Sequence, residues 1–177
     1  KSFAYRLIMR ISNQSGFYNR MIKFLKCVVG LFIGALITSD VRSQGQPSEF
    51  FITSPSTGVA IYGFDPVAYF DKHAALMGVN GFETQWANAY WKFTNAANLE
   101  RFRESPATYA PHFNGYGAYS VANGHLAEGN PLIWAIYQGR LLFFHSIKAR
   151  DEWAKDPSKF MQSGDENWKS LRATLAR

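Results

Sequence analysis

Cysteine is nearly missing from this chain of 177 residues: Cys27 stands alone. It opens an apolar run in an N-terminal segment that reads as a leader. The rest of the chain therefore has no disulfide, no thiolate metal site and no cysteine nucleophile. Other patterns are missing too. There is no Gly-x-Ser-x-Gly elbow, no phosphate-binding P-loop and no Gly-x-Gly-x-x-Gly fingerprint. The four histidines, His73, His112, His125 and His145, form no closely spaced helical metal pair. No internal repeat and no low-complexity tract is read.

Net positive charge is also missing from most of the chain. The formal charge is +6, but seven of the 19 Lys and Arg precede Gln44 and only Asp40 opposes them there. Twelve basic and twelve acidic residues remain, so the rest is formally neutral. Such a surface lacks the cationic excess that drives nucleic-acid binding, and no nucleic-acid partner is expected.

What is present begins with a leader over residues 1–43. Met21 opens an export signal (21–43) in which Lys23 and Lys26 precede thirteen uncharged residues, CVVGLFIGALITS. That length suits a signal's apolar region and is short for a membrane span. Val41 and Ser43 are small enough for cleavage before Gln44. Residues 1–20 are unusual ahead of such a signal, which points to Met21 as the start. An uncleaved N-terminal anchor and an organellar transit peptide stay open as alternatives. The expected destination is outside the cytoplasm, periplasmic or secreted, with membrane contact only through the leader.

Residues 44–58, QGQPSEFFITSPSTG, read as a linker and residues 59–177 as one domain. A strand is expected at 59–62 and a short helix after Asp65-Pro66, with Asp65 as its cap. Strands are expected around 82–86 and 90–94, and a helix at 96–104 capped by Asn95. A hairpin is expected around Gln138-Gly139-Arg140, then helices at 147–155 and 157–176. This order predicts an α+β fold: a small antiparallel sheet with packed helices. Tyr109, Tyr116, Tyr119, Trp91 and Trp134 could line an aromatic pocket, although such spacings also suit plain core. His145 reads as a core or edge residue and His73 as a solvated turn.

Five segments then occur in order: GFDPVAYF (63–70), WKFTNAANLERF (91–102), SPATYAP (105–111), NGYGAYSVANG (114–124) and NPLIWAIYQGRLLFF (130–144). Together they resemble the YHS domain-containing proteins, in the exported branch with a GYDPVAYF-like opening. The resemblance implies a treble-clef-like module, in some members binding metal through a Phe-Cys-Ser…Cys arrangement. Here Thr94 follows Phe93, and residues 97–98 carry no thiol. The exported branch reads Gly-Gly-Tyr-Cys-Ala-Tyr, sometimes with selenocysteine; this chain has Gly117 at that position.

The resemblance and the residues together give an expectation: an exported binding module for a small ligand or metal ion, without thiolate ligands. The candidate ligand-binding residues are Asp65, Tyr69, Tyr116, Gly117 and Tyr119. His112, His125 and Asp65 are the candidate ligands for a divalent transition metal. Two alternatives accompany this reading: a degenerate scaffold serving protein interaction, and a small-molecule enzyme using Asp65 and a histidine.

Overall fold

The computed structural model describes residues 51–175. The leader, Cys27, the cleavage site before Gln44 and the first part of the expected linker lie outside them. The described residues all fall within one compact unit.

The first hairpin pairs β1 (Val79–Trp86) with β2 (Ala89–Phe93), and the second pairs β3 (Asn130–Tyr137) with β4 (Arg140–Phe144). Both are antiparallel, and each stands as its own two-stranded sheet. Around them lie α1 (Ala68–Asp71), α2 (Ala96–Glu104), α3 (Pro106–Tyr109), α4 (Ala118–Ala122), α5 (Ile147–Trp153) and α6 (Pro157–Leu175). The α+β class holds, with two small sheets in place of the single one expected. The expected strand at 59–62 is a pair of isolated bridges followed by a 3-10 turn, Ile61–Gly63. Ile61, Tyr62 and Gly63 have φ of 44°, 57° and 87°, a left-handed run that no strand tolerates.

The architecture is repeated. Shifting the first hairpin by 51 residues gives the second: 79–86 becomes 130–137, and 89–93 becomes 140–144. The irregularity is copied as well. Val79 faces Phe93 and the register then jumps to Glu83 opposite Lys92; Asn130 faces Phe144 and the register jumps to Trp134 opposite Phe143. Each hairpin turn has two left-handed residues, Ala87-Asn88 and Gln138-Gly139. Each is followed by a helix whose cap, Asn95 or Ser146, accepts from the backbone N–H three residues on. Pro106 and Pro157 then open the next helix in each copy. Ahead of the hairpins, the turns Ile61–Gly63 and His112–Gly115 correspond. In both copies a glycine N–H closes the loop, Gly78 onto the Gly63 carbonyl at 2.9 Å and Gly129 onto that of Gly115 at 3.1 Å. The sequence reading of no repeat is thus corrected. In these turns ahead of the hairpins the shift is 52, as the left-handed residues Ile61, Tyr62 and Gly63 and their counterparts Phe113, Asn114 and Gly115 show. Few identities survive, and Trp91/Leu142, Thr94/His145 and, across the 52-residue shift, Asp65/Gly117 differ in chemistry while keeping their places.

Two hydrophobic clusters form the core. One gathers around Trp91, Phe93 and Phe102, the other around Phe144, Trp153 and Met161. β4 stands between them. Leu141 and Phe143 belong to the first cluster, Leu142 and Phe144 to the second, and all four are fully buried. A strand's period of two sends alternate side chains to opposite faces, so an unbroken apolar run serves two cores. β2 has one buried face only: Ala89, Trp91 and Phe93 are inside, Tyr90 outside. Phe51 and Ile52 are buried in the first cluster. The folded unit therefore includes part of the segment read as a linker, whose Ser, Thr, Pro and Gly mask these two apolar residues. Ile52 joins the copies: its N–H donates to the Asn114 carbonyl, and its own carbonyl accepts from Ile61 N–H.

Candidate functional site

Asp65 is fully buried, and its carboxylate is occupied by the protein itself. Oδ1 accepts from the N–H groups of Val67 (2.9 Å) and Ala68 (3.3 Å). Oδ2 accepts from Thr94 N–H (2.8 Å), Thr94 Oγ1 (2.7 Å) and Asn98 Nδ2 (2.7 Å). The turn before α1, the end of β2 and the first turn of α2 are thereby tied at one point. Asp65 is the expected cap of α1, but the N-cap is Val67, and Asp65 instead holds the turn that leads into the helix, as part of a buried knot.

In the second copy Gly117, His145 and Ala149 stand where Asp65, Thr94 and Asn98 stand in the first. No carboxylate is available there. The Gly117 N–H donates to the Ala127 carbonyl at 2.8 Å, as Asp65 N–H does to the Leu76 carbonyl at 2.8 Å in the first copy, and Gly117 is in addition bridged to Phe143. A Cβ on Gly117 would lie 3.2 Å from His145 N, so the close approach favours glycine. Relieved of the knot, the His145 side chain is exposed at the end of β4.

His145 lines an open cleft of about 430 Å³ together with Tyr62, Phe64, Glu128, Pro131 and Leu132. Tyr62 Oη donates to Glu128 Oε2 at 2.7 Å, across 66 residues of sequence. That bond to the carboxylate, followed by burial and the Glu128 charge, pushes the Tyr62 phenol up to about 12. Its backbone is left-handed, an arrangement a bulky side chain adopts only when its surroundings hold it. His145 Nδ1 lies 3.1 Å from the Glu128 carbonyl oxygen. Since a carbonyl only accepts, Nδ1 is the donor in this contact. The cleft joins Tyr62 and Phe64 from the first copy to Glu128 and His145 from the second. Its size is that of a small-molecule site.

The other expected site residues are dispersed. Tyr69 is in the core, its hydroxyl donating to the Pro131 carbonyl at 3.0 Å, and burial, then the charge of Asp65, raises its phenol well above the ordinary value. Tyr116 packs near Trp168, and burial, then the Glu128 charge, raises it. Tyr119 lies against Phe160, Tyr109 against Phe70 and Trp134 against Tyr69, while Trp91 is fully buried. These rings build both cores and do not form one pocket.

The expected metal ligands are not brought together. His112 Nε2 lies 2.8 Å from Asp165 Oδ1, and Arg140 donates to Asp165 Oδ2 at 2.9 Å. His125 is exposed in the loop after α4. Asp65 has both oxygens filled. Among the described residues no group of three or more His, Cys, Asp or Glu could hold a metal ion. A metal of the kind the family resemblance implies therefore does not fit His112, His125 and Asp65.

Sequence reasoning missed Tyr62 and Glu128 because they are distant in sequence and neither sits in a chemical motif. It placed His145 in the core or at an edge, whereas its ring is exposed. The recoverable signal was the change from Thr94 to His145 between the copies, visible once the repeat is aligned. No family model, curated protein or solved structure matches the chain.

Proposed function

We propose that this chain is an exported binding module of the YHS type, which seats a small organic ligand in the cleft between its two repeats. The observation that carries the reading is the Tyr62–Glu128 pair beside His145: three polar side chains, drawn from both copies, converge on a cavity of about 430 Å³. The asymmetry between the copies supports it. The first uses its polar residues to hold the fold, while the second has exchanged them and turned a histidine outward. A cleft built from both copies is also where a duplicated fold acquires a surface that neither half has alone.

Thermal unfolding of the full chain against a panel of small organic molecules, with Zn(II), Cu(II), Ni(II), Mn(II) and Fe(III) alongside, tests this. A ligand at about 100 times its Kd adds about 2.7 kcal/mol, which shifts Tm by several degrees. The expected result is a selective shift from an organic compound that Glu128→Ala or His145→Ala removes. A shift indifferent to both substitutions places the site elsewhere.

A second reading, an interaction module, is favoured by the exposed apolar run Leu76, Met77 and Val79 at the start of β1. A panel without any stabiliser, combined with capture of a protein partner that Met77→Asp abolishes, would put it first. Among the described residues no helix is long and apolar enough to cross a membrane.

A further inference from the structure

We infer that the ligand of this cleft carries an organic ammonium group, held by the Glu128 carboxylate against the rings of Tyr62 and Phe64. This rests on the binding reading above and names the ligand's chemical class.

The charges lining the cleft come first. Among the described residues, Glu128 is the one carboxylate lining it, and no Lys or Arg does. Among the described residues no cation forms an ion pair with Glu128. The Tyr62 hydroxyl occupies Oε2 and leaves the charge in place, because a phenol donates a hydrogen bond without neutralising its acceptor. An anionic ligand would meet this charge with no basic group to offset it. A neutral ligand would fit the cavity but leave the charge unanswered. A cation answers it directly, through charge-assisted hydrogen bonds or close ion contact.

The walls favour an organic cation over a metal ion. Tyr62 and Phe64 present aromatic rings, and a ring face attracts an ammonium group through its quadrupole. Pro131 and Leu132 add apolar surface for a carbon skeleton. A metal ion needs three or four convergent donors, and Glu128 with His145 supplies two. With Nδ1 engaged by the Glu128 carbonyl, the other ring nitrogen of His145, Nε2, is the one that an imidazole would offer as acceptor to an ammonium N–H. Glu128 is exposed, so solvent and salt screen the attraction, and discrimination of about tenfold is expected.

Calorimetric titration of the full chain with four probes sharing one ring tests the inference: phenethylamine, benzyltrimethylammonium, 2-phenylethanol and phenylacetate. The two cations should bind at least about tenfold more tightly than the alcohol and the acid, and more weakly as salt rises. Glu128→Gln, which keeps shape and removes charge, should abolish the preference; Glu128→Lys should reverse it. Far-UV circular dichroism checks that both variants remain folded. If the alcohol or the acid binds as tightly as the cations, and Tyr62→Ala and His145→Ala weaken that binding, the cleft stands as a site and the ammonium class is overturned. If none of the four binds, or cation affinity is unchanged in Glu128→Gln, the inference falls. Retention of the organic stabiliser from the thermal panel would then decide whether the cleft remains a binding site.

Discussion

Replacing Asp65 by alanine should be among the most damaging single changes in the protein. The carboxylate accepts five hydrogen bonds, between 2.7 and 3.3 Å, from four residues on three elements. Its removal leaves the backbone N–H groups of Val67, Ala68 and Thr94 and the buried Asn98 amide without that acceptor. A hydrogen bond to a charged group contributes about 1.5–3 kcal/mol, and a stranded buried donor costs about 1–3 kcal/mol. These terms overlap and do not add, because one cavity serves all the donors. We expect a loss of about 3–5 kcal/mol, a large part of the roughly 5–15 kcal/mol by which domains are stable. Asp65→Asn should lose about 2–3 kcal/mol, since its amide nitrogen turns a donor toward donors. Urea unfolding followed by tryptophan fluorescence measures this. With a slope of about 2 kcal/mol per molar, the alanine variant's midpoint should fall by about 2 M at unchanged slope. A loss below about 1 kcal/mol would refute the knot as a main fastening of the first copy.

Three further outcomes are expected. Gly129→Ala should cost about 3 kcal/mol, because its Cβ would lie 2.4 Å from the Gly115 carbonyl oxygen; Gly78→Ala, 2.6 Å from Lys92 backbone at the matching position, should cost about the same by urea unfolding. Trp153 buries an indole N–H that has no partner among the described residues, so Trp153→Phe should change stability by less than about 1.5 kcal/mol while Trp153→Ala loses about 3–5 kcal/mol. Burial holds the His112 imidazole below its ordinary value, despite Asp165 beside it and with Arg140 adding to the effect. The unfolded chain therefore takes that proton first, and this contribution to stability, present at neutral pH, declines as pH falls below about 6.5. Burial also works to raise Asp165, but its hydrogen bonds to His112 and Arg140 prevail and hold it below the ordinary value, so its contribution is lost only at lower pH, in the carboxylate range. Urea midpoints at pH 7.5 and 5.5 should thus differ less in His112→Gln than in the parent protein.

Much of the secondary structure was legible because local chemistry decides it. Asn95 caps a helix at 96–104, and Gln138-Gly139 turns a hairpin, as their sequence contexts require. The strand expected at 59–62 failed because apolar content cannot report the left-handed run at Ile61, Tyr62 and Gly63. The duplication was hidden for a different reason. Its matched positions preserve backbone roles, such as Gly78 and Gly129 or Pro106 and Pro157, while exchanging most side chains. The site was least legible. Asp65 drew attention as an acid in a motif, yet its oxygens serve the fold. Glu128 and Tyr62 meet only because two turns and two hairpins are arranged around Ile52 and β4, and no spacing along the chain encodes that meeting.

Amide chemical-shift mapping is the most direct test of the cleft as the binding site. The full chain would be titrated with the organic compound that stabilises it most in the thermal panel. The shifts should concentrate at Tyr62, Phe64, residues 128–132 and His145, with the amides of Val67, Ala68 and Thr94 around Asp65 unmoved. Shifts centred on Asp65 or on the His112–Asp165–Arg140 cluster, with the cleft silent, would contradict it.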